Sequence, residues 1–177
     1  MSKDSNRRHL GHAGSRLPQA SIAAAVVLLS LTVRPWARPN GGIAYPADYR
    51  RWAVAKSTLV GPQSAFFATE GGIHHIYANE KAMEGYSSGK FLDGAILVYE
   101  LLETKEVNGL TLEGRRRRVD VMVKEKQTYG ETGGWGFASF TGDNRSDGTL
   151  SAERSAACFA CHASRKDHDF VFSEFRK

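Results

Sequence analysis

The sequence predicts an α+β fold that is mainly β, with an antiparallel sheet and a few short helices. Residues 117–126 alternate, with three valines on one face and charged side chains on the other, as in a half-buried strand. Asn108-Gly109 lies between two strand-like runs and is typical of a hairpin turn. Short runs rich in aromatic and β-branched residues, separated by glycine turns, extend this pattern along the chain.

The first predicted element is a short helix at Pro46 to Lys56, where a proline precedes residues at helical spacing. Asn79 is a candidate N-cap for a helix that runs to about Tyr86, and Ser151 is a candidate N-cap for a later helix. The predicted strands are 64–69, 72–78, 95–107, 117–126, 133–140 and a closing strand at 169–175.

The first 39 residues are predicted to be a signal peptide and linker, followed by one domain at residues 40–177. A basic stretch precedes an unbroken apolar run, Ala20 to Val33, of signal-peptide length. This run is short for a membrane span, although an uncleaved anchor or a buried core helix are alternatives. Six basic residues against Asp4 in this segment account for the whole net charge of +5. The charge therefore indicates export, to the periplasm, rather than binding to nucleic acid.

One motif near the C-terminus, Cys158-Phe159-Ala160-Cys161-His162, predicts a cofactor. The pattern C-x-x-C-H is typical of c-type haem attachment, in which two thiols add to the haem vinyl groups and the histidine binds the iron. A thioredoxin-like redox pair needs a βαβ context, and a structural zinc site needs two ligands beyond these. A disulfide over so small a loop is a further alternative. We therefore expect haem c, one per chain, with His162 as iron ligand, carried by the C-terminal helix and loop.

The position of this motif narrows the class of haem protein. Small electron-carrier cytochromes c have C-x-x-C-H near the N-terminus, whereas here it lies near the end of the chain. Cytochromes c′ have a C-terminal motif, but they are four-helix bundles. The alternating strand patterns disfavour a bundle.

Four segments together resemble the cytochrome P-460 family, which includes the cytochromes c′-beta. They are YPADYRRW at 45–52, KFLDGAILVYE at 90–100, GWGF at 134–137, and the haem motif followed by DFVF at 169–172. The resemblance implies an antiparallel β fold, a homodimer, His162 as the sole protein ligand of the iron, and an open distal side.

The resemblance leaves two activities open. True cytochromes P-460 look like hydroxylamine oxidases, with a lysine cross-linked to the haem in a D-G-x-x-x-V-K-E strand. The c′-beta members lack this cross-link and look like binders of nitric oxide or carbon monoxide. In this chain Tyr99 stands at the position of the lysine. A tyrosine–haem cross-link is an open possibility, with simple packing of Tyr99 on the sheet or haem as its alternative.

The distal side is predicted from two pairs of neighbouring residues. His74 and His75 are adjacent on a strand and must point to opposite faces. By the resemblance, His74 falls where the family has a distal arginine, so it could donate a hydrogen bond, transfer a proton or bind the iron. Phe66 and Phe67 precede this strand, and Phe67 is predicted to contact the haem, with core packing as the alternative.

The leading prediction is an exported mono-haem c-type cytochrome with His-ligated, five-coordinate iron that binds nitric oxide or a related small ligand. The first alternative is an enzyme that oxidises hydroxylamine or acts like a peroxidase, with His74 and Tyr99 as catalytic residues. The second is a six-coordinate electron carrier with a periplasmic redox partner. The run Arg115 to Arg118 is interpreted as an exposed strand start or a docking patch for such a partner.

Overall fold

The computed structural model describes residues 42–146 and 148–175 and confirms the predicted fold class. Five antiparallel strands form one sheet in chain order, so every connection joins neighbouring strands. The strands are β1 (Ala53–Val60), β2 (Gly72–Ala78), β3 (Ile96–Val107), β4 (Leu110–Lys124) and β5 (Trp135–Thr141). The helices are α1 (Phe67–Glu70), α2 (Glu80–Ser88) and α3 (Ala152–His162). The predicted signal peptide lies outside the described residues.

The β3–β4 hairpin forms the centre of the sheet. Asn108 and Gly109 have φ angles of 51° and 79°, as a tight two-residue hairpin turn requires, and Val107 pairs with Leu110 across them. The first half of β3 is buried on both faces because side chains pack against each side of the sheet. This half of β3 therefore has no solvent-exposed face.

The two faces of the sheet have different partners. On the first, which we call the core face, Val98, Val121 and Phe140 pack with Tyr49 from a 3-10 turn at Tyr49–Arg51. The second, which we call the cavity face, is defined by Leu97, Tyr99, Met122 and Phe137. Its lower part is an apolar cluster that includes Phe91, Trp135 and Val171. The upper part, around Tyr99, borders a cavity.

Helix α2 confirms the prediction of an N-cap at Asn79. The Asn79 side chain accepts hydrogen bonds from the backbone N–H groups of Ala82 (2.9 Å) and Ile96 (3.0 Å). Its amide also donates to the carbonyl of Gly94 at 2.9 Å. One side chain thus starts the helix and ties it to the beginning of β3.

Two predictions near the N-terminal side of the domain are wrong. The helix expected at 46–56 is only the 3-10 turn Tyr49–Arg51, because β1 begins at Ala53. Only Ala55 is buried in this edge strand, so its sequence lacks the alternation that identifies strands. The strand expected at 64–69 is a turn followed by the one-turn helix α1. Of its two aromatic residues, Phe66 lines the nearby cavity.

The strand expected at 169–175 is also wrong, although its alternation is real. Val171 and Ser173 are buried, whereas Phe172 and Glu174 are exposed, but the segment pairs with none of the described strands. It packs instead through side chains, such as the hydroxyl contact of Ser173 with Tyr86 at 2.5 Å. No helix in the described ranges is long and apolar enough to cross a membrane.

Candidate haem site

The strand register brings the polar residues of the site together. Leu101 of β3 pairs with His74 on β2 and with Arg118 on β4. Two positions along, Tyr99 pairs with Ile76 and Asp120. Because cross-strand partners share a face, these side chains form two adjacent rows on the cavity face.

A cavity of about 800 Å³ lies against this face, within the usual size range of cofactor sites. Five of the six predicted site residues line it: His74 and Tyr99 from the sheet, and Cys158, Cys161 and His162 from α3. The sixth, Phe67, is not among the lining residues; its neighbour Phe66 is, with 70% of its surface exposed. Their functional roles remain predictions.

Helix α3 positions the haem motif. Ser151 caps it, accepting a hydrogen bond from the backbone of Arg154, and the helix ends at His162. The three-residue spacing of Cys158 and Cys161 places both thiols on one side of the helix. Both cysteines are free, and burial raises the pKa of Cys158. Two unpaired thiols within a cavity fit the attachment of a haem.

The imidazole of His162 is held in one orientation. Its Nδ1–H donates to the carbonyl of Phe170 at 2.7 Å, while the rings of Phe137 and Phe172 lie 5.3 and 5.0 Å away. Burial lowers the pKa of His162, which favours the neutral ring. With Nδ1 engaged, Nε2 is the nitrogen available to bind a metal, which is the arrangement expected of a metal-binding histidine.

A hydrogen-bonded polar wall stands on the sheet side of the cavity. The Tyr99 hydroxyl donates to Glu70 Oε2 at 2.6 Å, and Arg118 donates to both oxygens of the same carboxylate at 2.8 and 2.7 Å. Arg118 Nε also donates to Asp120 at 2.7 Å, and Asp120 accepts from Ser139 at 2.6 Å. The wall is therefore a continuous chain of paired charges and hydroxyls.

These contacts set the protonation of the polar wall. Burial raises the pKa of Glu70, but hydrogen bonds from Arg118 and Tyr99 outweigh it and leave this pKa below its ordinary value. Burial and the Glu70 carboxylate raise the pKa of Tyr99. At neutral pH the wall thus contains a carboxylate, a guanidinium and a neutral phenol.

His74 has a buried side-chain nitrogen without a hydrogen-bond partner in the described part of the chain. Its Nε2 is buried and makes no hydrogen bond there, and its ring lies 4.9 Å from that of Tyr99. Burial is the main cause that lowers the pKa of His74. A buried nitrogen without a partner is rare in proteins and fits a site that receives an additional group.

His75 points to the core face, as the alternation of a strand requires. Its two ring nitrogens lie 2.7 Å from Ser57 Oγ and 2.6 Å from Glu113 Oε1. His75 is absent from the cavity lining. Of the two adjacent histidines, His74 alone belongs to the site.

Sequence reasoning missed Glu70, Arg118 and Asp120. The interpretation of Arg115 to Arg118 as an exposed run is wrong in part, because the Arg116 and Arg118 side chains are only 8% and 28% exposed. The alternation of β4 did place Arg118 and Asp120 on one face, but that face meets a cavity instead of solvent. Glu70 gave no sequence signal, since it lies in a short helix between strands.

The cavity against the sheet is lined by both cysteines of the C-x-x-C-H motif and by its anchored histidine, which is the site of a c-type cytochrome with a β fold. The chain belongs to the cytochrome P460 family, whose family model matches residues 46–173. Membership assigns it haem c and iron as cofactor. None of the curated proteins compared with the chain matches it.

Proposed function

We propose that this protein is an exported mono-haem c-type cytochrome that binds nitric oxide or a related small nitrogen-oxide ligand at five-coordinate iron. Cys158 and Cys161 hold one haem covalently, and His162 is its only protein axial ligand. The observation that carries the proposal is a single cavity lined both by this motif and by the polar wall with His74.

The haem supplies reversible binding of a small ligand at its iron, and the chain supplies the surroundings. Ile76, Leu97, Met122 and Phe137 give the cavity an apolar floor, which limits the entry of water. His74 and the polar wall of Glu70, Tyr99 and Arg118 add polar groups on the sheet side. Such an environment favours small, weakly polar ligands that accept one or two hydrogen bonds.

Two other functions are favoured by specific contacts. Tyr99, Glu70 and His74 are neighbouring acid–base groups, which an enzyme acting on hydroxylamine or peroxide would need. Alternatively, the unpartnered Nε2 of His74 would serve as a sixth ligand in an electron carrier. His74 therefore separates the three functions.

Export to the periplasm, a homodimer and a periplasmic redox partner are parts of this proposal. Export is supported by the apolar run at Ala20 to Val33 and by the haem motif, because bacteria attach c-type haem outside the cytoplasm. The homodimer is supported by the family resemblance alone. Size-exclusion chromatography with light scattering on the haem-loaded protein would test it.

Absorption spectra of the ferric and ferrous protein, with nitric oxide and carbon monoxide titrations, test the main proposal. We expect a high-spin ferrous form that binds both gases. His74→Ala should change gas affinity about tenfold, the size of one hydrogen bond, because His74 lines the cavity. His75→Ala is the matched control and should leave affinity unchanged, since His75 points to the core face.

Two results would redirect the assignment, and a third measurement tests the haem attachment. Low-spin spectra in both oxidation states that become high-spin in His74→Ala would establish the electron carrier. Turnover of hydroxylamine, lost in Tyr99→Phe, would establish the enzyme. Intact-mass measurement and peptide mapping show whether haem is bound covalently, and whether any bond joins it to Tyr99.

A further inference from the structure

Two consecutive residues after the haem motif adopt an unusual backbone conformation. Asp169 and Phe170 have φ angles of 52° and 66°, in the left-handed region, which aspartate tolerates but a bulky residue such as Phe170 rarely enters. This conformation turns the Phe170 carbonyl towards His162, whose Nδ1–H it accepts at 2.7 Å. Such strain persists only where surrounding contacts enforce it.

Asp169 is fixed by three contacts from different parts of the chain. Lys124 Nζ donates to its Oδ1 at 2.6 Å, and the backbone N–H of Phe91 donates to its Oδ2 at 2.9 Å. The indole N–H of Trp135 donates to its carbonyl at 2.8 Å. The side-chain carboxylate and the backbone carbonyl of Asp169 are thus both hydrogen-bonded, so the peptide between Asp169 and Phe170 has little freedom to rotate.

Lys124 is the least expected of these partners. It is the last residue of β4 and only 2% exposed, although it carries a charge. Its ammonium also donates to the Gly133 carbonyl at 2.9 Å and lies 4.9 Å from the Trp135 ring. A buried cation is tolerated when it is paired, and Asp169 is its ion-pair partner. Lys124 does not line the haem cavity.

We propose that the Lys124–Asp169 ion pair is a positioning element for the iron ligand. By locking the strained Asp169–Phe170 backbone, it keeps the Phe170 carbonyl on Nδ1–H of His162 and fixes the orientation of the ring. A strong hydrogen bond at this nitrogen makes the imidazole a stronger electron donor to its metal. The pair thereby stabilises the ferric state. This inference rests on the proposed role of His162 as axial ligand.

The pair therefore predicts changes at the iron from substitutions outside the cavity. Asp169→Asn keeps the shape of the side chain but removes the charge that holds Lys124. Trp135→Phe keeps an aromatic ring but removes the N–H that holds the Asp169 carbonyl. Asp169→Asn tests the ion pair, and Trp135→Phe tests whether holding the Asp169 carbonyl orients His162. Lys124→Met removes the pair from its other side and remains informative if Asp169→Asn folds poorly. Glu174→Gln is the matched control, because it lies in the same tail with an exposed, loose contact to Arg165 at 3.7 Å.

The experiment uses haem-loaded protein, resonance Raman spectroscopy of the ferrous form, and redox titration. We expect Asp169→Asn and Trp135→Phe to lower the Fe–His stretching frequency and to raise the reduction potential. Loss of an outer-shell partner typically weakens metal affinity about tenfold. A tenfold change in the relative affinity for ferric and ferrous iron corresponds to about 59 mV for a one-electron couple. Glu174→Gln should match the wild type in both measurements.

The outcomes separate this inference from the proposed function. Variants that bind haem and keep both the wild-type stretching band and the potential overturn the positioning role. A fall in the melting temperature alone also overturns it, because the pair then merely anchors the tail. A high-spin ferrous wild-type protein without an Fe–His stretching band would instead overturn His162 as axial ligand, and the inference with it.

Discussion

At the residue scale, Glu70 organises the polar wall because it bonds both Tyr99 and Arg118. We expect Glu70→Gln to weaken this wall: the neutral amide loses the ion pair with Arg118 and can accept at only one oxygen. Gas affinity should change by about tenfold, the effect of one charge-assisted hydrogen bond. Titration of the ferrous protein with carbon monoxide measures this change.

Glu113→Gln is the control for that substitution, since Glu113 bonds His75 on the core face. Equal affinities in the wild type and both variants would show that the polar wall does not reach the bound ligand.

The pH dependence of ligand binding is a second residue-scale prediction. The pKa of Glu70 lies below its ordinary value of 4.5, so its carboxylate stays charged as pH falls to that point. The pKa of His74 lies below its ordinary 6.5, so its ring remains neutral at pH 7. We expect carbon monoxide affinity to be constant from pH 7 to 8 and to change only in acid. An affinity step between pH 7 and 8 would contradict these protonation states.

At the scale of secondary structure elements, the capping side chains of α2 and α3 differ in the groups to which they hydrogen-bond. Asn79 bonds α2 and also the start of β3, whereas Ser151 bonds only the first turn of α3. We expect Ser151→Ala to lower the free energy of unfolding by about 1 kcal/mol. Asn79→Ala should lower it by roughly 2–4 kcal/mol, because the buried N–H of Ile96 also loses its acceptor. Urea denaturation of the two variants measures the difference, and equal losses would contradict this ranking.

The elements also show which parts of the fold could be predicted. Strands β2, β3 and β5, the second half of β4 and both longer helices were predicted, because each has a periodic pattern or a capping residue that acts locally. Strand β1 was missed because an edge strand buries too little to show a period. The segment 169–175 has the alternating pattern of a strand but is not one. Its alternate side chains are buried against other side chains, and this gives the same sequence pattern as burial in a sheet.

The cysteines and the histidine of the haem motif could be predicted because they lie together in the sequence. Cys158, Cys161 and His162 form a motif, whereas Glu70 of α1 and Arg118 of β4 are 48 positions apart and meet only in the tertiary structure. The Lys124–Asp169 pair was hidden for the same reason. Side chains that cooperate across strands leave no local spacing to detect.

At the scale of the whole molecule, the two faces of the sheet divide binding from stability. Glu100 points to the core face, is 0% exposed, and accepts hydrogen bonds from Tyr49 at 2.6 Å, Arg50 at 2.5 Å and Arg116 at 2.7 Å. Its neighbour Tyr99 points to the cavity instead. A substitution at Glu100 should therefore affect folding and leave the haem site unchanged.

We expect Glu100→Gln to lower the free energy of unfolding by about 3 kcal/mol, since it leaves Arg116 with less compensation for its buried charge. Burial raises the pKa of Glu100, but Arg50, Tyr49 and Arg116 hold it below 4.5. The stabilisation from this carboxylate is thus present above its unfolded pKa and is lost as pH falls through its folded pKa. Acid should therefore destabilise the wild type more steeply than Glu100→Gln.

Urea denaturation at pH 7 and at several values below 4.5, followed by tryptophan fluorescence, measures both effects. Glu103→Gln is the matched control on the same strand, because its partner Arg115 is fully exposed and such pairs contribute little. The absorption spectrum and gas affinity of Glu100→Gln should equal those of the wild type. A changed spectrum in this variant would mean that the sheet transmits changes from its core face to the haem, and that the two faces are not independent.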